Sequence, residues 1–243
     1  MMDAAARPTG PWRFETSAAT RTGAARQVNE DFFAVKPEQA LFAVADGIGG
    51  LAEGAVASRA IVEVLARVVT PGAPLDVRVQ EAEDALHHVN DALFQEGIGR
   101  RPPVHMGSTI AVMLIGMREG VCLWAGDSRA YLRRGDDLHQ LTHDHSLCAQ
   151  QGDIHPRNII TRAIGPSHEV EIDCCVVEIM PGDMLLLCTD GVSNFLDDAR
   201  LAQFMAGPME GMAERIVADA VARGSRDDVT AVAVRIPAEH ESS

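Results

Sequence analysis

The stretch 41–54, LFAVADGIGGLAEG, constrains what this chain can fold into more than any other. Apolar residues at 41–45 read as a buried strand, and that strand stops at a bare carboxylate, Asp46. Glycines follow at Gly47, Gly49, Gly50 and Gly54, and then an amphipathic helix pattern begins. A carboxylate at the mouth of a buried strand is costly unless something positive neutralises it. Glycines beside it let backbone come close to whatever that is. The stretch asks for a metal ion, a phosphate, or both.

Around it the chain alternates between strand and helix patterns. A first strand is expected at 12–19, a polar loop at 21–31, a short strand at 32–35 and a turn at 36–39. Pairing 32–35 with 41–45 as a hairpin brings Asp31 and Asp46 to one sheet end. Apolar residues then recur at helical spacing over 53–69 and 75–95, and a Pro/Gly turn between the two predicts antiparallel packing. Strands at 108–115, 121–125, 130–133 and 138–141 form a meander. Residues 142–166 are irregular, with one helical turn near 146–151. Strands at 170–179 and 183–188, helices at 197–205 and 209–222, and a last strand at 229–236 complete the pattern. Strand runs flanked by separate helix pairs, without βαβ alternation, indicate an α+β layered fold. No repeat or linker interrupts it, so residues 1–243 are expected to form a single domain.

The composition narrows the function. Twenty-one basic against 35 acidic residues give a formal charge of −14, which argues against nucleic acid as a partner. The five cysteines show no C-x-x-C spacing, and four fall in strand-like apolar runs. They are expected to be reduced core thiols in a cytoplasmic protein. No membrane-length apolar run and no signal pattern are seen, so no membrane association is expected.

Chemistry points to four acidic turns at strand ends: AVADG (Asp46), LWAGD (Asp127), LLLCTDG (Asp190) and GSRDDVT (Asp227, Asp228). One Asp-Gly after a strand is an ordinary turn. Four converging on one end of the sheets would make a carboxylate pocket that repels itself unless cations sit among its members. Oxygen ligands without histidine favour Mg²⁺ or Mn²⁺ over Zn²⁺. Two such ions can generate a hydroxide nucleophile that attacks phosphorus. Arg26, four residues before Glu30, is suited to grip two phosphate oxygens, or else forms a plain surface ion pair. Residues 47–52 also satisfy a G-x-G-x-x-A dinucleotide pattern, but Asp46 would repel a pyrophosphate and no parallel strand follows. His143 and His145, in a polar loop, are expected to face solvent.

Arg26, Asn29-Glu30-Asp31, ADGIGG, GDSRAYL, NIITRAIG, CTDGV and RDDVT, in that order over about 12–236, make the chain resemble the PPM (protein phosphatase 2C) family of metal-dependent protein serine/threonine phosphatases, in its compact bacterial form. The resemblance implies a four-layer α/β/β/α sandwich of two stacked antiparallel sheets flanked by helix pairs. It implies that Asp46 bridges two Mn²⁺ or Mg²⁺ ions, that Gly47 adds its carbonyl to one, and that Asp190 and Asp227 hold the second. Asp127, with Asp190, is similar to the ligands of a third, weaker ion. Arg26 looks like the phosphate-binding arginine, and Glu30 and Asp31 like the groups that orient metal-held water.

Three departures from the family's pattern stand out. Ile48 occupies a position where many eukaryotic members carry a histidine general acid, so a water on a metal is expected to protonate the leaving group. Asp228 replaces a commoner asparagine, and its extra charge is expected to tighten metal binding. The segment 142–158 is shorter than the flap of many bacterial members. The reaction implied is hydrolysis of phosphoserine and phosphothreonine in proteins by a dimetal-activated hydroxide. A monomer opposing a bacterial Ser/Thr kinase is the implied setting, and kinase control of type VI secretion fits it by size and type. The competing reading is a catalytically silent, metal-stabilised phosphoprotein-binding or regulatory module. Loss of Asp46, Asp190 or Asp227 would have favoured it, and all three are present.

Overall fold

The structure is a computed structural model that describes residues 13–48, 53–151 and 159–237. Gly49, Gly50, Trp12 and Asn158, all used in the sequence reading, lie outside the described residues. Strands β1 (Glu15–Arg21), β2 (Asp31–Lys36) and β3 (Leu41–Ile48) precede two helices, α1 (Glu53–Val68) and α2 (Leu75–Gly99). Strands β4 (Gly107–Ser108), β5 (Ile110–Ile115), β6 (Glu119–Ala125), β7 (Arg129–Arg134) and β8 (Asp137–Gln140) lead to a short helix, α3 (Leu147–Gln151). Then come β9 (Asp173–Glu178), β10 (Met184–Cys188), α4 (Asp190–Ser193), α5 (Asp198–Met205), α6 (Met212–Ala222) and β11 (Val229–Arg235).

Two antiparallel sheets result. One runs β1-β11-β10-β7-β8, and the other runs β2-β3-β5-β6-β9 with β4 against β3. Side-chain alternation builds the layers, because successive strand residues point to opposite faces. Along β5, Ile110, Val112 and Leu114 pack under α1 and α2, while Ala111, Met113 and Ile115 pack between the sheets. Along β10, Met184, Leu186 and Cys188 pack toward α5 and α6, while Leu185 and Leu187 face the other sheet. Three apolar clusters therefore separate four layers, the expected α/β/β/α order. The sequence shows runs rather than alternation in these strands because both faces are covered.

The same alternation aims the acidic strand ends. Phe42 and Val44 of β3 belong to the inter-sheet cluster, so Asp46, two residues on, points into the end of the inter-sheet cleft. Asp31 pairs directly with Asp46, as the hairpin reading expected.

Some expectations need correction. The first strand begins at Glu15 rather than 12, and β9 at Asp173 rather than 170. The helix α4, begun by Asp190, was not expected; its four residues are too few to show periodicity. Cys174 is exposed and Cys175 half-buried, because β9 is an edge strand whose outer face lies open, so only Cys122 and Cys188 are core thiols. His145 is buried rather than exposed, whereas His143 is exposed. Among the described residues no helix is long and apolar enough to cross a membrane.

Candidate metal and phosphate site

Five of the sequence-predicted carboxylates meet at one end of the inter-sheet cleft. Asp31 and Asp46 come from the start of β2 and the end of β3. Asp190 follows β10, and Asp127 and Asp227 precede β7 and β11, which both pair with β10 so that these turns share a sheet end. Asp31 Oδ2 accepts hydrogen bonds from Thr189 Oγ1 at 2.8 Å and Thr230 Oγ1 at 2.6 Å, both on the opposite sheet. These threonines tie the sheets together at the site. Sequence inspection passed over them because a strand-end threonine carries no motif.

Burial pushes the Asp31 carboxyl up to about 8, against the pull of the two hydroxyls. Burial, reinforced by the charges of Asp31, Asp190, Asp127 and Asp227, holds Asp46 well above the usual carboxylate range. Asp190 is raised by burial and then by Asp227, and Asp127 is pushed up to about 7 by burial and then by Asp190. Glu30 is raised by burial, with Arg26 opposing. Such mutual elevation marks carboxylates that need a cation.

The hydrogen-bond inventory points the same way. Glu30 Oε1, Asp31 Oδ1, Asp127 Oδ1 and Asp190 Oδ1 are buried oxygens with no partner in the protein. Orphaned buried acceptors are rare, and a cluster of them at one cleft is the signature of missing cations or ordered water. Hard oxygen donors of this kind fit Mn²⁺ or Mg²⁺. No group of three or more His, Cys, Asp or Glu side chains among the described residues is already arranged as a cage around one point. The donors flank the space, and water would have to complete the coordination, as it usually does for Mg²⁺.

Arg26 stands at the rim. Its Nε donates to Asp227 Oδ1 at 2.7 Å and its Nη1 to Glu30 Oε2 at 3.0 Å. It is therefore more than a surface i,i+4 pair, since it bridges two predicted site residues from distant parts of the chain. Gly47 is required for packing: a Cβ there would lie 2.4 Å from the Gly54 backbone at the start of α1. Its amide donates to the Glu30 carbonyl at 3.1 Å, which fastens β3 to the Arg26 loop.

The Asp228 carboxylate is committed to backbone amides, while its charge still helps to raise Glu30 and Asp31. Its Oδ1 accepts from the Gly23 amide at 2.8 Å and its Oδ2 from the Glu30 amide at 2.7 Å, and the residue is buried. Both oxygens are used in clasping the two ends of the loop that carries Arg26. To the charge expected from the sequence the structure adds a positioning role.

Asp127 is also buttressed. His145 Nδ1 accepts from the Gly126 amide at 3.1 Å, and the His145 amide donates to the Gly126 carbonyl at 2.9 Å. Arg129 grips Asp144 through two bonds at 2.9 and 2.7 Å. A cavity of about 340 Å³ lies between Asp127, Arg129, Asp144 and Asp190. A wider cleft of about 730 Å³ opens beside Ile48, lined by His105, Thr161 and Arg162.

A family model for protein phosphatase 2C matches residues 20–223. The chain belongs to the protein phosphatase 2C family. It is 32% identical to the serine/threonine phosphatase stp of Listeria innocua, over 88% of this chain and 93% of that protein. Among solved structures it is similar to PppA, described as a key regulatory component of T6SS in Pseudomonas aeruginosa, with a TM-score of 0.86 and 35% identity over 92% of this chain and 97% of that one. It is also similar to the catalytic domain of the serine threonine protein phosphatase PstP in complex with two manganese ions, with a TM-score of 0.81 and 30% identity over 92% and 98% of the two chains. Members of the family thus bind divalent metal, and the orphaned oxygens of this chain fit that group.

Proposed function

We propose that this protein phosphatase 2C removes phosphate from phosphoserine and phosphothreonine in proteins, with two divalent ions at the cleft end and Arg26 holding the phosphate. It is a serine/threonine phosphatase that uses divalent metal. The observation that carries the residue assignment is the set of four orphaned carboxylate oxygens gathered beside a cationic side chain. Asp46 and the Gly47 carbonyl would hold one ion, and Asp46, Asp190 and Asp227 the other. The cavity between Asp127 and Asp190 supports a third, weaker ion there. Mn²⁺ and Mg²⁺ both suit these donors.

When bound, the ions supply the positive charge that offsets the carboxylates and the acidity that makes water a nucleophile near neutral pH. The chain's own groups do the rest. Glu30 and Asp31 each keep one oxygen free of protein partners, available to accept from and orient the attacking water. Arg26, now shared between Glu30 and Asp227, presents its fork to the equatorial oxygens of the phosphoryl group. Ile48 cannot move a proton, so the leaving alkoxide must take its proton from water at the site.

The substrates are phosphoproteins. An autophosphorylated Ser/Thr kinase is the proposed partner, with the chain acting as a monomeric cytoplasmic domain spanning 1–243. The stated role of PppA supports a type VI secretion setting. Hydrolysis of p-nitrophenyl phosphate with Mn²⁺, abolished by EDTA and by Asp190→Asn, is the test. A folded chain that turns nothing over with Mn²⁺ would instead be the regulatory module.

A further inference from the structure

Away from the metal end, the register of β6 and β9 sets Cys122 directly opposite Cys175. Directly opposed residues on antiparallel strands have Cα atoms about 4.5 or 5.5 Å apart. Both values fall inside the window of about 4.4–6.8 Å that a disulfide needs. The two side chains share a face: Cys122 belongs to the inter-sheet cluster and Cys175 packs against it. Cys174, one residue earlier, points to the opposite, solvent side and is exposed. Because β9 is the edge strand, Cys175 is only half-buried, and a small oxidant can reach it without opening the core.

We propose that Cys122 and Cys175 form a cross-strand dithiol that hydrogen peroxide converts to a disulfide, a modification site separate from the metal centre. Facing each other across the strand pair, the two thiols perturb each other's acidity. Their interaction lowers the Cys175 pKa and raises that of Cys122, so Cys175 is the nucleophile and Cys122 the resolving thiol. The Cys175 sulfur attacks the peroxide O–O bond, forming a sulfenic acid and releasing one water. The Cys122 sulfur then displaces the sulfenic hydroxyl as a second water, forming the S–S bond. Two thiols and one peroxide thus give one disulfide and two waters. As a thiol, Cys175 donates to the Leu141 carbonyl at 3.6 Å, and the disulfide lacks that donor. Leu141 opens the segment through His145, which Trp124 Nε1 also holds by the His143 carbonyl at 3.0 Å. Oxidation therefore acts on the root of the segment that supports Asp127.

The test is peroxide treatment of the full chain in EDTA, which removes metal-catalysed oxidation and makes the result independent of the phosphatase reading. Alkylation, trypsin digestion and mass spectrometry then report the thiols. The five cysteines of the chain should fall to three alkylatable thiols. A dithiothreitol-reversible link should join the peptide 119–129, which contains Cys122, to 163–200, which contains Cys174, Cys175 and Cys188. Cys174→Ser should keep the link and Cys175→Ser should abolish it. Five thiols still alkylated, a link that survives Cys175→Ser, or Cys175 driven to sulfinic acid while Cys122 stays a thiol would each overturn the proposal.

Discussion

Replacing Asp228 with asparagine alters the chemistry of one atom and leaves the side chain's shape nearly unchanged. The carboxylate offers two acceptor oxygens, and both are used, by the amides of Gly23 at 2.8 Å and Glu30 at 2.7 Å. Asparagine offers one oxygen and an NH2 group, so one of these amides would face another donor. A buried amide left without its acceptor costs about 1–3 kcal/mol. Asp228→Ala strands both amides and should cost about twice that. The loop so loosened carries Arg26, whose guanidinium is the proposed phosphate grip. If about 1 kcal/mol of the loss reaches Arg26 as poorer ground-state and transition-state binding alike, KM for p-nitrophenyl phosphate should rise about fivefold with kcat little changed. Urea unfolding, amide hydrogen exchange at Gly23 and Glu30 in the metal-free chain, and steady-state kinetics at saturating Mn²⁺ together read the effect. An Asp228→Asn chain with the parent's unfolding midpoint and unchanged protection at both amides would refute the clasp.

Other outcomes follow from the same geometry. In the metal-free chain Asp127 sits near 7 and Asp31 near 8, both above the unfolded carboxylate value of 3.8. The folded state therefore holds protons the unfolded state has released, and stability should be full below about pH 4 on this account and fall as pH rises through 7 to 8. Moving one carboxyl from about 4 to about 7 is worth about 4 kcal/mol, an upper bound for Asp127 acting alone. Thermal melts in EDTA from pH 5 to 8.5 should show the decline and Mn²⁺ should reverse it; a flat or rising metal-free profile contradicts the elevated carboxyls. Asp127→Ala should lower turnover of phosphopeptides, whose alkoxide leaving group needs a proton, far more than turnover of p-nitrophenyl phosphate. Equal losses on the two substrates would remove Asp127 from leaving-group protonation.

Much of the fold was legible because each strand end carries its own punctuation. Gly126-Asp127 and Asp190-Gly191 lie just beyond the ends of β6 and β10, Asp46-Gly47 falls in the last stretch of pairing before β3 ends at Ile48, and the hairpin that joins Asp31 to Asp46 follows from antiparallel pairing alone. The layer order was legible as a class, but the alternation that assigns Leu185 and Leu186 to different cores is invisible in an unbroken apolar run. What the sequence hid are long-range contacts. Thr189 and Thr230 meet Asp31 across 158 and 199 residues of chain, and no local pattern announces a threonine that bridges two sheets. Asp228 was read as extra charge on the metals because it neighbours Asp227; its direction depends on where the 23–30 loop lies. His145 was read as exposed from its polar neighbours, yet its ring fills the space beneath Gly126. The cysteines in β9 looked like core residues, and only the sheet order shows that β9 is an edge.

The central claim is that the carboxylates at the end of the inter-sheet cleft hold divalent ions. Crystals of the chain grown with Mn²⁺ and measured at the manganese absorption edge test it most directly. Two strong anomalous peaks are expected among Asp46, the Gly47 carbonyl, Asp190 and Asp227, with a weaker one between Asp127 and Asp190, and all should shrink or vanish in Asp46→Asn. A well-ordered Mn²⁺-soaked crystal with no anomalous peak at that end of the cleft, or with peaks only elsewhere, would contradict the account.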